Sequence, residues 1–211
     1  IAAVYVQDQI HIGEKWQLIA GLRFDQFEMD FLNRRTNSRI EVTDKTVSPR
    51  VGVIYQASEA LSLYASSAES FVPRAGDQLS SLTLSNASLK PESFLNYEVG
   101  MKWQLSKGLF TSLAVYQLDR GNIAITDPLN PGQSLLVNGQ RSQGVEWEIG
   151  GNIRKNLQIL AGYAYQNAEI TRTLSSSLPE GTTLALVPEH SAFVWGRWDA
   201  NDRLGFGLGI N

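Results

Sequence analysis

Two histidines, no cysteine and scattered carboxylates bound the chemistry open to this chain of 211 residues. Without thiols there is no disulfide, no thiolate metal site and no cysteine nucleophile. His190 directly follows Glu189, and Asp127 lies in another polar stretch, so one hydrolytic arrangement is on offer, a histidine general base oriented by a carboxylate. Phe71, Arg74 and Gln78 form a different set, a ring face, a cation and an amide donor, gathered where the long polar stretch 72–91 begins. Arg23 with Asp25, Glu98 with Lys102, and Glu146 with Glu148 are spaced by two or four, which puts each pair on one face of a strand. Glu98 and Lys102 would then stand about 13 Å apart along the strand, so both are expected to find partners across strands instead.

Those residues need elements to position them, and the polar connections define the elements. Short connections near 12–15, 57–60, 106–108, 150–156 and 199–202 alternate without exception with long ones, roughly 29–45, 72–91, 121–133 and 171–187. Between them lie ten segments of about nine to fourteen residues, the length a strand needs to cross about 25 Å of lipid at a tilt of about 45°. Tight turns at one face and long loops at the other predict an antiparallel transmembrane β-barrel. No apolar run approaches the ~20 residues of a membrane-spanning helix, so the membrane must be crossed by a closed sheet. A net charge of −3 leaves no basic stripe to follow a phosphate backbone, which excludes nucleic acid as a partner. His11 and His190 fall at opposite membrane faces in this arrangement and cannot share a metal.

Period-two patterning agrees. Tyr97, Val99, Met101, Trp103 and Leu105 alternate with Asn96, Glu98, Gly100, Lys102 and Gln104, and Trp16 to Asp25 alternates in the same way. In a barrel the polar parity faces the lumen, which places Arg23, Asp25, Glu98, Lys102, Glu146 and Glu148 inside. The inward glycines Gly100, Gly144 and Gly162 are expected to permit close approach of another backbone. Residues 109–118 and 189–199 carry apolar side chains at both parities, so their faces stay unassigned. All five tryptophans lie near short turns, as an aromatic girdle at one membrane boundary requires.

The order of short motifs resembles the barrel of TonB-dependent ferric siderophore receptors. The opening strand–turn–strand carries Tyr5, Gln7, Asp8, Trp16, Gly21, Arg23, Phe24 and Asp25 of the family's pattern. Ser70, Phe71 and Pro73 match its Ser-Phe-x-Pro step, and Pro91, Glu92, Tyr97, Glu98, Gly100 and Lys102 its Pro-Glu and Tyr-Glu-x-Gly-x-Lys pattern. Ser142, Gly144 and Glu146 match a Ser-x-Gly-x-Glu strand, and Val187, Pro188 and His190 the Val-Pro-x-His return strand. Gln143 and Asn167 depart from the family, which usually has Arg and Asp there.

The resemblance implies a Gram-negative type of outer membrane and about ten consecutive strands of a 22-stranded plugged barrel. The plug, the TonB-binding box and the closing strands are not recognisable in residues 1–211, so the chain reads as an internal part of the barrel domain. The implied activity is import of a ferric siderophore driven through TonB, with no cofactor and no catalysis. Phe71, Arg74 and Gln78 then become the ligand-binding candidates, because a rim of aromatics and donors suits a compact, partly apolar chelate. A ten-stranded outer-membrane protease built around His190 and a passive porin are the alternatives.

Overall fold

The computed structural model of the chain describes residues 1–34, 37–73, 89–127, 129–130 and 134–211. Its strands are β1 (Ala2–Ile12), β2 (Trp16–Asn33), β3 (Ser38–Ser58), β4 (Leu61–Val72), β5 (Glu92–Ser106), β6 (Leu109–Gly121), β7 (Ile123–Thr126), β8 (Ser134–Val137), β9 (Gln140–Arg154), β10 (Leu157–Ile170), β11 (His190–Asn201) and β12 (Leu204–Ile210). Ten of them form one antiparallel sheet in the order β1-β2-β3-β4-β5-β6-β9-β10-β11-β12, while β7 and β8 pair as a separate hairpin. The ten predicted segments are these ten strands. β1 and β12 lie at the two ends of the sheet, the arrangement of neighbours taken from a larger barrel and not of a small barrel closed on itself.

Register fixes the faces. On β2 and β3 the rows Trp16↔Tyr55, Leu18↔Val53, Ala20↔Val51, Leu22↔Pro49 and Phe24↔Val47 form one apolar band. The band continues through β5 and β6, where Val99 pairs with Val115 and the two are 61% and 54% exposed. Side chains so apolar and so open are suited to hydrocarbon, not water. The opposite parity carries Tyr64, Glu98, Lys102, Ser112, Glu146 and Glu148, which line a single hollow and therefore mark the concave, lumenal side. Residues 109–118, ambiguous in sequence, divide at their centre: Leu113 and Val115 share the outer face with Trp147 and Val145, and Ser112 and Ala114 share the lumen with Glu148 and Glu146, while apolar Phe110 and Leu118 also take the lumenal parity.

Above Phe24↔Val47 the pattern inverts. The outer rows become Gln26↔Lys45, Glu28↔Thr43 and Asp30↔Glu41, while the lumenal side becomes Phe27, Met29, Phe31, Ile40 and Val42. The membrane therefore ends between Phe24 and Gln26, and the hairpin continues into water with its apolar face turned inward. A loop expected over 29–45 is instead paired strand from Asn33↔Ser38 downward, because period-two apolar residues on the new inner face keep the ladder worth forming outside the membrane. Arg39 clamps the tip, its Nε 2.8 Å from Asp30 Oδ1 and 3.1 Å from Glu41 Oε1.

Two other connections also depart from plain loops, while most of the one expected over 72–91 lies outside the described residues. Residues 121–137 hold the β7–β8 hairpin, and the chain after β10 folds back on that strand through Ile170 N to Thr182 O (2.9 Å) and Leu184 N to Ala168 O (2.9 Å). Of the buried apolar residues described, Ile40, Ile123, Val137, Ala168 and Ile170 belong to this extracellular end, and Ala161 alone lies in the wall. Lipid covers the barrel wall, so only the part standing in water needs a core of its own. At the other end, the short connection expected over 150–156 shrinks to Lys155 and Asn156, since β9 continues to Arg154 through a distortion at Gly151 with φ 129°. Trp147 consequently lies well inside the band, its indole N–H donating to Thr111 Oγ1 at 3.0 Å. Trp195 departs from the girdle too: it pairs with Leu160, which pairs with Gly150 on the lumenal parity. Trp16, Trp103, Trp147 and Trp198 face outward.

Candidate functional site at the lumen wall and extracellular rim

On the lumen wall aromatic residues stand opposite glycines. Tyr64 pairs with Gly100, Tyr116 with Gly144, and Phe193 with Gly162. In each case the ring lies across the glycine: a Cβ on Gly100 would fall 2.6 Å from Tyr64 Cζ, one on Gly144 3.0 Å from Tyr116 Oη, and one on Gly162 would collide with the Phe193 ring. A backbone does come close at two of the three, the Tyr165 carbonyl at Gly144 and the Leu113 carbonyl at Gly100, but it belongs to a neighbouring strand of the barrel, and the barrel's own aromatics fill the rest of the space; Tyr64 and Phe193 line the hollow of about 510 Å³. Strand pairing, unknown from the sequence, is what brings each ring onto its glycine.

Glu98 and Lys102 find partners across strands, as expected, but both on Tyr64. The Tyr64 phenol donates to Glu98 Oε1 at 2.6 Å, and Lys102 Nζ stands 5.9 Å from the centre of the same ring. Arg23 instead grips Asp25 on its own strand, Nε to Oδ2 at 2.8 Å and Nη2 to Oδ1 at 2.8 Å, with Asp25 buried. Glu146 and Glu148 add negative charge to the hollow shared by Glu98 and Lys102. The wall is therefore acidic over β5 to β10 and basic toward β2 and β3.

At the rim, Arg120 joins the roots of two long connections. Its Nη2 donates to Glu92 Oε2 at 2.6 Å and its Nη1 to Gln140 Oε1 at 2.9 Å, while the guanidinium stands 5.8 Å from the Phe94 ring centre. Asn122, at φ 55°, donates to Pro91 O at 3.0 Å. Phe94 pairs with Ser70 and Arg120 on the lumenal parity; Phe71 is opposite Ser93 and shares the outer parity of Leu63 and Glu69. Arg74 and Gln78 lie outside the described residues. The sequence reading overlooked Phe94 and Arg120; the parity of a β4–β5 register would have pointed to them.

The remaining candidates are committed elsewhere. Asn130 Nδ2 and the Leu129 backbone N–H donate to Asp127 at 2.9 and 2.8 Å, which holds its carboxyl below the usual range and closes a turn. His190 faces outward beside two tyrosines, with Nδ1 2.8 Å from the Tyr163 phenol and its ring 5.2 Å from that of Tyr165. Its hydrogen-bond partner is a phenol and not a carboxylate, so the hydrolytic arrangement is not assembled. Among the described residues no group of three or more His, Asp or Glu could hold a metal.

Comparison with known proteins gives one family. Residues 1–211 match the family described as TonB dependent receptor-like, beta-barrel. The metal-pseudopaline receptor CntO of Pseudomonas aeruginosa (strain UCBPP-PA14) is 33% identical over 204 residues, covering 93% of this chain and 28% of that protein. The crystal structure of the siderophore receptor PiuA from Acinetobacter baumannii superposes with a TM-score of 0.82 at 27% identity, over 98% of this chain and 32% of that one. The closed form of the ferric-catecholate import receptor Fiu from Escherichia coli K12 has the same TM-score, 0.82, at 24% identity, over 98% of this chain and 33% of that one, a likeness of fold. The chain spans only part of the length of the curated relatives it matches, 28% in the first case and 56% for an uncharacterised TonB-dependent receptor of Haemophilus influenzae.

Proposed function

We propose, because this chain belongs to the TonB-dependent receptor-like β-barrel family, that the full-length protein imports ferric siderophores across a Gram-negative type of outer membrane. The observation that carries this reading is the sheet itself. Ten neighbouring strands, apolar outside and polar inside, leave both end strands free to continue into a wider barrel. A wall flattened by ring-on-glycine pairs leaves room for a plug, and the acidic surface over Glu98, Glu146 and Glu148 gives such a plug something to hold. The plug and the TonB-binding segment belong to the rest of the protein, and energy comes through TonB. Transport needs no cofactor and no covalent step.

Ligand capture falls to the extracellular rim. Phe71, Arg74 and Gln78 remain the candidates at the root of the 72–91 connection, with Phe71 reaching the ligand only over the rim because its parity is outward. Phe94, inward on the neighbouring strand, is the stronger aromatic. Stacking or a cation at a partly dehydrated rim is worth about 1–2 kcal/mol, or roughly tenfold in affinity per side chain. A strain carrying the full-length gene, starved of iron and fed a panel of ferric siderophores, should grow on at least one; growth on none would overturn the reading. With that siderophore, Arg74→Ala and Phe94→Ala should each weaken binding about tenfold, while wild-type affinity in both would move the site to the plug and to other loops.

A further inference from the structure

The basic side of the lumen wall contains a cradle made of donors. Two adjacent lumenal rows cross β1, β2 and β3 in register: Tyr5↔Arg23↔Ser48 and Gln7↔Gly21↔Arg50. Together they line a hollow of about 280 Å³. Gly21 leaves its floor open, since a Cβ there would meet the Gln7 side chain only at ordinary contact distance, 3.5 Å. Four of the six residues, Tyr5, Gln7, Ser48 and Arg50, have no side-chain hydrogen bond or ion pair with any described residue. Asp25 is held by Arg23 through three contacts of 2.8 to 3.0 Å and is buried, and Glu69 of β4, which also lines the hollow, makes no side-chain hydrogen bond or ion pair with Arg50 or any other described residue. That leaves the Arg50 guanidinium without an ion pair to any described residue, beside a phenol, an amide and a hydroxyl, all able to donate.

We infer that this cradle is an oxyanion site, taking a carboxylate or phosphate group on the lumenal side of β1–β3 with Arg50 as its charged anchor. A guanidinium fork donates to the two oxygens of such a group in its own plane, and the neighbouring phenol, amide and hydroxyl can donate to complete the shell. A metal or a cation is disfavoured by the positive charge of Arg50. Two sources can supply the oxyanion: an acidic side chain of the plug, or an anionic group on a solute passing the wall. The second source rests on the transport reading above, whereas the site itself does not.

Selenate is a suitable probe because it has oxyanion geometry and an anomalous signal. Crystals of the full-length receptor, grown without phosphate or carboxylate buffers and soaked in selenate, are expected to show either selenate or a plug Asp or Glu within hydrogen-bonding distance of Arg50 and Gln7. Selenate there assigns a site open to solutes, and a plug carboxylate there assigns the plug as the source. A cradle holding neither overturns the inference, as does selenate that binds equally well in Arg50→Gln. Where selenate occupies the cradle, the Arg50→Gln receptor should bind it in solution about tenfold more weakly, the effect of removing one charge-assisted pair, with Arg50→Lys falling between, and unchanged affinity would overturn the inference. Uptake of a negatively charged ferric chelate, measured against a neutral one, then tests the solute source; failure of wild type to take up either chelate counts against the transport reading and leaves the selenate result standing.

Discussion

Gly100→Ala tests the idea that the lumen wall is kept flat by rings lying on glycines. The added methyl would sit 2.6 Å from the Leu113 carbonyl oxygen and 2.6 Å from Cζ and Oη of Tyr64. A backbone carbonyl cannot swing away, so either the two strands separate locally or the ring lifts and gives up its 2.6 Å hydrogen bond to Glu98. Overpacking of this kind costs about 1–3 kcal/mol, and loss of a hydrogen bond to a charged acceptor about 1.5–3 kcal/mol. Replacing glycine inside a strand returns about 0.5–1 kcal/mol. With all three terms the net expectation is a loss of about 1.5–5.5 kcal/mol, read by urea unfolding of the full-length receptor in lipid vesicles with tryptophan fluorescence. Tyr64→Ala removes the ring but not the carbonyl, so Gly100→Ala should cost at least about 1 kcal/mol less in that background. A Gly100→Ala receptor within about 0.5 kcal/mol of wild type, or strict additivity in the cycle, would refute the reasoning.

Further expectations concern depth and edges. Environment-sensitive labels at Val99 and Met101 of the full-length receptor should report hydrocarbon, and labels at Gln26 and Lys45 should report water, because the outer face changes from Phe24↔Val47 to Gln26↔Lys45; water at 99 and 101 would sink the barrel orientation. Residues 1–211 produced alone should aggregate or stay partly unfolded in detergent, since β1 and β12 present unpaired ladders that cost several kcal/mol per group in lipid. A monodisperse, heat-modifiable monomer would show that those edges can close on each other.

Much of the fold was legible in the sequence because membrane strands obey local rules. A lipid-facing position must be apolar whatever its neighbours are, so period two from Trp16 to Asp25 and from Asn96 to Leu105 reveals both strand and face without knowledge of pairing. Turn spacing likewise set the number of strands and their antiparallel order, and the chain of motifs pointed to the family that the whole of 1–211 matches. What failed to show lies where a residue's surroundings come from another strand. Polar character over 29–45 suggested a loop, but above the membrane water takes the place of lipid, so the apolar side turns inward and the ladder continues. Gly100, Gly144 and Gly162 announced a close approach without saying by what, until register laid Tyr64, Tyr116 and Phe193 across them. Phe71 looked like a rim residue from its neighbours in sequence, yet twelve paired residues of β4 put it on the outer parity and gave the inward place to Phe94. Alternation is a property of one strand and can be read from one; which side chains meet is a property of register, and register is fixed only when the sheet has formed.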